Sequence, residues 1–141
     1  MKIEIKSREE IENITLPGNT ALISITDVGW TFATLKNQPD YLLQIAFDDV
    51  DDEIFLDAEK YHMLTDEQAK QIVDFYAKIK DKADTLICQC EHGQSRSAAI
   101  AAAILEYESK CGIDIFINDN YYPNKTIFKK IFKQLKEGIS K

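Results

Sequence analysis

The tightest constraint on how this chain can fold is a place where an apolar run must become a helix within one short loop. Thr85-Leu86-Ile87-Cys88 is apolar in the manner of a strand, and the alanine-rich stretch from Ala98 to Leu105 has the composition of a helix. Between them lies Cys90-Glu91-His92-Gly93-Gln94-Ser95-Arg96-Ser97, with the cysteine six positions before the arginine and a glycine midway. A loop that joins a strand to a helix can aim several backbone N–H groups and a helix N-terminus at one point, which makes an anion site suited to phosphate. Cys90 at its start would stand directly beneath the bound phosphorus.

The residue types fit that geometry. A free cysteine titrates at about 8.5, so only a few per cent is thiolate at neutral pH. Converging N–H dipoles and a nearby guanidinium favour the charged form. Gly93 permits a positive φ and brings the backbone close to a ligand. Arg96 offers a planar fork that matches two phosphate oxygens, which lysine supplies only as a point charge. Ser97 can donate a hydrogen bond to the sulfur, and Ser95, at the predicted helix start, reads as a local cap. Taken singly, each residue has a plainer reading: Cys90 as a small apolar residue in a buried strand, Arg96 as a solvated helix residue, Gly93 as a turn glycine. Their joint occurrence at this spacing favours the anion site.

Cys-x-x-Gly-x-x-Arg-Ser between strand and helix resembles the phosphate-binding loop of cysteine-dependent protein tyrosine phosphatases, the small dual-specificity type in particular. Upstream, Ala21-Leu22-Ile23-Ser24-Ile25-Thr26-Asp27 resembles their early strand, and Ile45-Ala46-Phe47-Asp48-Asp49 resembles the strand that carries their general acid. The likeness covers about residues 20 to 107. It implies an α/β fold, with a central, largely parallel sheet of about four to five strands flanked by helices in three layers. It also implies a phosphoester hydrolase that needs no metal or other cofactor and acts on a phosphorylated protein or a small phosphoester. Cys90 would be the nucleophile, with Arg96 and the loop from Glu91 through His92, Gly93 and Gln94 to Ser95 holding the phosphoryl group. Ser97 would assist the sulfur as a leaving group. Laid on the family's pattern, the general acid is Asp49, with Asp48 as the alternative one residue away. Gln89 departs from the pattern, standing where these enzymes usually carry a histidine before the nucleophile. That departure, together with the open choice of general acid, motivates a second reading, a catalytically weak domain that binds phosphate or a phosphoresidue. Sulfur transfer in a rhodanese-like loop is a third, although that class commonly has a shorter cysteine-to-arginine spacing.

Composition narrows the classes further. With 141 residues, 45% hydrophobic and 29% charged, the chain is expected to form one domain over residues 1–141. No apolar run approaches the roughly 18 residues of a membrane helix. A net charge of −7 argues against nucleic acid or an anionic membrane as partner. Three cysteines cannot all pair within the chain, and a thiol nucleophile stays usable in a reducing compartment, so a cytoplasmic location is expected.

Along the chain, residues 2–6 alternate as a strand, and Ser7-Arg8-Glu9-Glu10 carries a capping-box pattern that opens a short helix ending before Pro17-Gly18. Strands follow at 20–26 and 41–47, separated by a connector over 30–40. A helix starts at Thr65, with Ala69, Ile72, Val73, Tyr76 and Ile79 on one face. A strand at 84–89 leads into the loop and the alanine-rich helix. The last helix, from about 125 to 136, sets Ile127, Phe128, Ile131, Phe132 and Leu135 opposite Lys129, Lys130, Lys133 and Lys136. That lysine face reads as a solvated outer surface. Strands alternating with helices indicate an α/β arrangement with a parallel sheet, whose ligands bind at the carboxyl ends of its strands.

Cleaving a phosphoester requires a proton for the departing oxygen, and the acidic run Asp48-Asp49-Val50-Asp51-Asp52-Glu53 follows a strand at the correct end of the sheet. Asp51, Asp52 and the more distant Asp57 are weaker candidates than Asp49 and Asp48. The run lacks calcium-loop spacing, and Cys88, Cys90 and His92 lack the paired spacing of a zinc site, so no metal is expected. Cys88 shares a strand face with Cys90, which allows disulfide capture of an oxidised nucleophile; core burial is the simpler account. His92 reads as a rim residue and His62 as structural or rim. Asn118 to Asn124 reads as a turn that introduces the last helix rather than one that frames the pocket.

Overall fold

A computed structural model describes residues 1–50 and 61–138. The elements run β1 (Lys2–Lys6), α1 (Arg8–Glu12), β2 (Thr20–Thr26), β3 (Tyr41–Ala46), α2 (Asp66–Ile79), β4 (Thr85–Gln89), α3 (Arg96–Ser109), α4 (Ile113–Phe116) and α5 (Lys125–Gly138). The strands form one four-stranded sheet in the order β1-β4-β2-β3, parallel throughout. Every residue of β2 is buried, and Leu86 to Gln89 of β4 are too, as two-sided coverage of central parallel strands requires.

The register fixes what meets at the carboxyl edge. Ile5 and Ile23 stand opposite Cys88, and Lys6 and Ser24 stand opposite Gln89. Beyond the ladder, the Cys90 N–H donates to Lys6 O at 3.3 Å, so the end of β1 holds the residue that begins the loop. Side chains then alternate between two cores. Ala21, Ile23, Ile25, Leu86 and Cys88 face the larger one, built with α2, α3 and α5. Leu22 and Ile87 face the smaller one, closed by Ile11 of α1 and by Leu16 and Ala33. The result is the expected three layers.

Ala98 to Ala103 are fully buried, because α3 lies between the sheet strands β1 and β4 and the outer helix α5. A helix covered on all sides shows no amphipathic stripe, and its small side chains allow close approach. In α5 the stripe is real: Ile127, Ile131 and Leu135 are buried, while Lys129 and Lys133 are exposed. Lys130 departs from the solvated face, donating to Leu64 O at 2.7 Å, and Lys136 lies 4.9 Å from the centre of the Phe132 ring.

The boundaries differ from expectation in instructive ways. The first helix has only five residues: its capping box is formed as predicted, but the chain leaves it at Asn13. β3 ends one residue early, although the Phe47 N–H still donates to Thr26 O at 3.1 Å. α3 extends to Arg96 at one end and Ser109 at the other, and α4 has no counterpart among the elements expected from sequence. The connector over 30–40 holds no helix or strand, yet it contributes Ala33 and Leu35 to the cover of the second sheet face. No helix among the described residues is long and apolar enough to cross a membrane.

Candidate active site

The loop from Cys90 to Ser95 is shaped from both sides. Gly93 has φ +66°, and a Cβ there would stand 2.7 Å from Ser7 N and 2.8 Å from Lys6 C, so the position demands glycine twice over. Glu91 ties the loop to α1: its carbonyl accepts from Arg8 N at 3.1 Å and its carboxylate from Arg8 Nε at 2.7 Å. The Arg8 guanidinium also donates to Thr31 O and Thr26 Oγ1. In the sequence Arg8 is only one letter of a helix cap; the signal that it buttresses the loop lies in contacts across the fold. On the far side, Tyr122 N donates to Gln94 O at 2.8 Å and Asn124 N to Ser95 O at 3.3 Å. Among the described residues, the amides of Glu91, His92, Gly93, Gln94 and Ser95 donate to no backbone carbonyl.

Gln89 is held from both ends beneath the loop. It is fully buried; its Nε2 donates to Cys90 O at 3.0 Å, and its Oε1 accepts from the Ser24 hydroxyl. A neutral amide with both ends satisfied can sit in the core without a desolvated charge.

Cys90 is buried, with its Sγ 3.1 Å from Ser97 Oγ in the first turn of α3. Beside it, burial raises the Cys88 thiol to about 12, with a smaller contribution from the neighbouring Cys90. Cys88 is therefore a neutral core residue at physiological pH. The free thiols of Cys88 and Cys90 are not joined.

Arg96 is also buried, at 4% exposure. Its Nη1 donates to Asp27 Oδ1 at 2.6 Å and to Phe47 O at 2.9 Å. Its Nε has no hydrogen-bond partner among the described residues. Nε shares an edge of the guanidinium with Nη2, the edge that can grip two oxygens of one anion. A buried cation fixed on one side and unsatisfied on the other is the strongest sign of an anion site in the molecule. That reading corrects the plainer view of Arg96 as a solvated helix residue.

The two candidate acids have different surroundings. Asp48 is committed to the backbone: Oδ1 accepts from Val28 N at 3.1 Å and Oδ2 from His62 N at 2.8 Å, while its own N–H donates to His62 O. His62 thus serves through its main chain. Asp49 turns to the loop, where its Oδ1 accepts from Ser95 Oγ and from Asn124 Nδ2, both at 2.9 Å. Ser95 occupies the N-cap position of α3 but makes no side-chain cap bond, because its hydroxyl is spent on Asp49; the expected capping role is corrected accordingly. Asn124 does two jobs, accepting from Ile127 N at the start of α5 and positioning Asp49. The turn before α5 therefore both opens the helix and frames the site. Asp51, Asp52 and Asp57 lie outside the described residues.

Cys90, Arg96 and Asp49 open onto one cavity of about 240 Å³, with His92 and Tyr122 at its margin. Asp49, His92 and Arg96 also line an adjoining cleft of about 500 Å³, bounded by Trp30, Tyr61 and Asp27. Gln94 and Ser95 also line the smaller cavity and Glu91 the larger cleft, while Gly93 contributes through the loop's course. Among the described residues no group of three or more histidine, cysteine, aspartate or glutamate side chains is placed to hold a metal ion.

No family model matches the sequence, and no curated protein is similar enough to count as a relative. Solved structures do match. PTPMT1 in complex with PI(5)P is similar at a TM-score of 0.57 and 15% identity, over 99% of this chain and 93% of that one. PTPMT1 in another crystal structure gives 0.55 and 18%, over 99% and 92%. Tk-PTP in the active form gives 0.57 and 14%, over 98% and 93%. With its parallel four-stranded sheet, its covering helices and its nearly end-to-end correspondence with these proteins, the chain has the fold of the cysteine-dependent protein tyrosine phosphatases.

Proposed function

We propose that the chain is a metal-independent phosphoester hydrolase that works through a cysteinyl-phosphate intermediate on phosphotyrosine or other phosphorylated protein residues. One observation carries the reading: the Cys90 sulfur, the half-satisfied Arg96 and the Asp49 carboxyl share one cavity at the carboxyl edge of the sheet. In the first step the Cys90 thiolate forms an S–P bond in line with the departing oxygen. The P–O bond breaks, and Asp49 gives its proton to the oxygen that leaves. Arg96 and the loop amides hold the phosphoryl oxygens throughout, which is where most of the rate gain arises. In the second step water attacks phosphorus, Asp49 takes a proton from that water, and the S–P bond breaks to release phosphate. Ser97 Oγ, 3.1 Å from the sulfur, donates to the thiolate as it departs.

The alternative of a weak phosphate-binding domain rests on Gln89 and on the choice of acid; the hydrogen bonds of Gln89 and the place of Asp49 on the Cys90 cavity support the hydrolase over it. The test is turnover of p-nitrophenyl phosphate with chelator present. Cys90→Ser should lose roughly a thousandfold or more in kcat, the scale expected when a nucleophile is removed. Asp49→Asn should lose about 10²- to 10⁴-fold. Undiminished turnover in Cys90→Ser would refute the mechanism.

A further inference from the structure

The walls of the site carry the opposite charge to its floor. Asp27, Asp48, Asp49 and Glu91 all line the cleft around Arg96. Among the described residues lining the two cavities, Arg96 is the one lysine or arginine. Part of its fork is already engaged by Asp27, and the part without a partner is buried. Glu91 is shared with Arg8, just outside these linings, and Asp27 with Arg96, yet with Asp48 and Asp49 beside them the described approach carries more carboxylates than guanidinium groups. Trp30 and Tyr61, at 71% and 50% exposure, line the cleft, and Tyr122, at 70%, lines the adjoining cavity.

Building on the phosphatase reading, we infer that the site selects a singly phosphorylated protein segment with lysine or arginine beside the phosphoresidue, and turns away carriers of further negative charge. The phosphoryl group reaches Arg96 and the loop. A flanking cation then meets the acidic wall and can lie over an aromatic face. A second phosphate or a flanking glutamate meets the same carboxylates well inside the ~8 Å screening length at physiological salt. Repulsion at the mouth therefore discriminates between carriers whose phosphoryl groups are held identically.

The experiment uses Cys90→Ser, which retains the loop and the acidic wall, and fluorescence anisotropy with matched phosphotyrosine peptides flanked by lysine, alanine or glutamate. The lysine-flanked peptide should bind about tenfold or more tightly than the glutamate-flanked one at low salt, and the ratio should fall to about twofold at high salt. Asp27→Asn in the same background should narrow the low-salt ratio. With wild-type protein, the lysine-flanked peptide should be cleaved more efficiently than PI(5)P in neutral vesicles. Equal binding of the three peptides, a preference for glutamate, or better cleavage of PI(5)P would overturn the inference. Hydrolysis of p-nitrophenyl phosphate without any affinity ratio would sink the charge selection and leave the phosphatase reading standing. An affinity ratio without turnover of any substrate would do the reverse.

Discussion

Asp48 and Asp49 are adjacent in sequence and opposite in employment. Asp48 spends both oxygens on backbone amides of two other segments, so its loss is a matter of stability. Asp48→Ala should destabilise the fold by about 1–3 kcal/mol, seen as a lowered melting temperature. Asp49→Asn should melt close to wild type while losing its rate, and the pair of melts separates the two roles. Cys88 gives a pH prediction at the same scale. Its thiol is raised from 9.0 to about 12 by burial first and by Cys90 second. Between those values the unfolded chain releases a proton that the folded chain keeps, so this contribution is fully present below pH 9 and is lost as pH rises towards 12. The decline should approach roughly 1.4 kcal/mol per pH unit from this one group. Cys88→Ala should therefore show a shallower loss of stability above pH 9 than wild type in denaturant titrations.

The loop from Cys90 to Ser95 behaves as an element whose shape is imposed by its neighbours. Gly93→Ala would set a methyl against Ser7 N and Lys6 C at a positive φ, so the loop has to move away from β1. We expect a stability loss of about 1–3 kcal/mol and loss of vanadate binding, measured by chemical denaturation and calorimetry. Much of this element is legible in the amino-acid sequence, because Cys90, Gly93, Arg96 and Ser97 are fixed by backbone form and chemistry within eight consecutive residues. The same holds for α2 and α5, whose apolar residues repeat at helical spacing, and for the box that opens α1. The illegible part depends on partners distant in sequence. Ser95 looks like a cap because local hydroxyls usually are; Asp49, 46 positions away, claims it instead. Asp48 and Asp49 are indistinguishable as letters, and only Val28 and His62 on one side and Ser95 and Asn124 on the other separate them. Arg8 and Asn124 carry no local mark of their work either. Each contacts the site from an element that simply lies beside it in space.

For the molecule as a whole, the loop and Arg96 should couple ligand binding to global stability. Any anion that binds the folded chain alone raises its stability, by about 2.7 kcal/mol at a hundred times its Kd. Vanadate should therefore raise the melting temperature of wild type and of Cys90→Ser in a concentration-dependent way, and Arg96→Met should abolish the shift. The sheet order has one more consequence. β1 lies at an edge and pairs only with β4 among the described strands, although about eighty residues separate them in the sequence. That pairing closes a long loop, whose entropy has to be met before the contact is rewarded. Because the Lys6 carbonyl holds the Cys90 N–H, the loop is expected to gain its form only once that long-range pairing has been made.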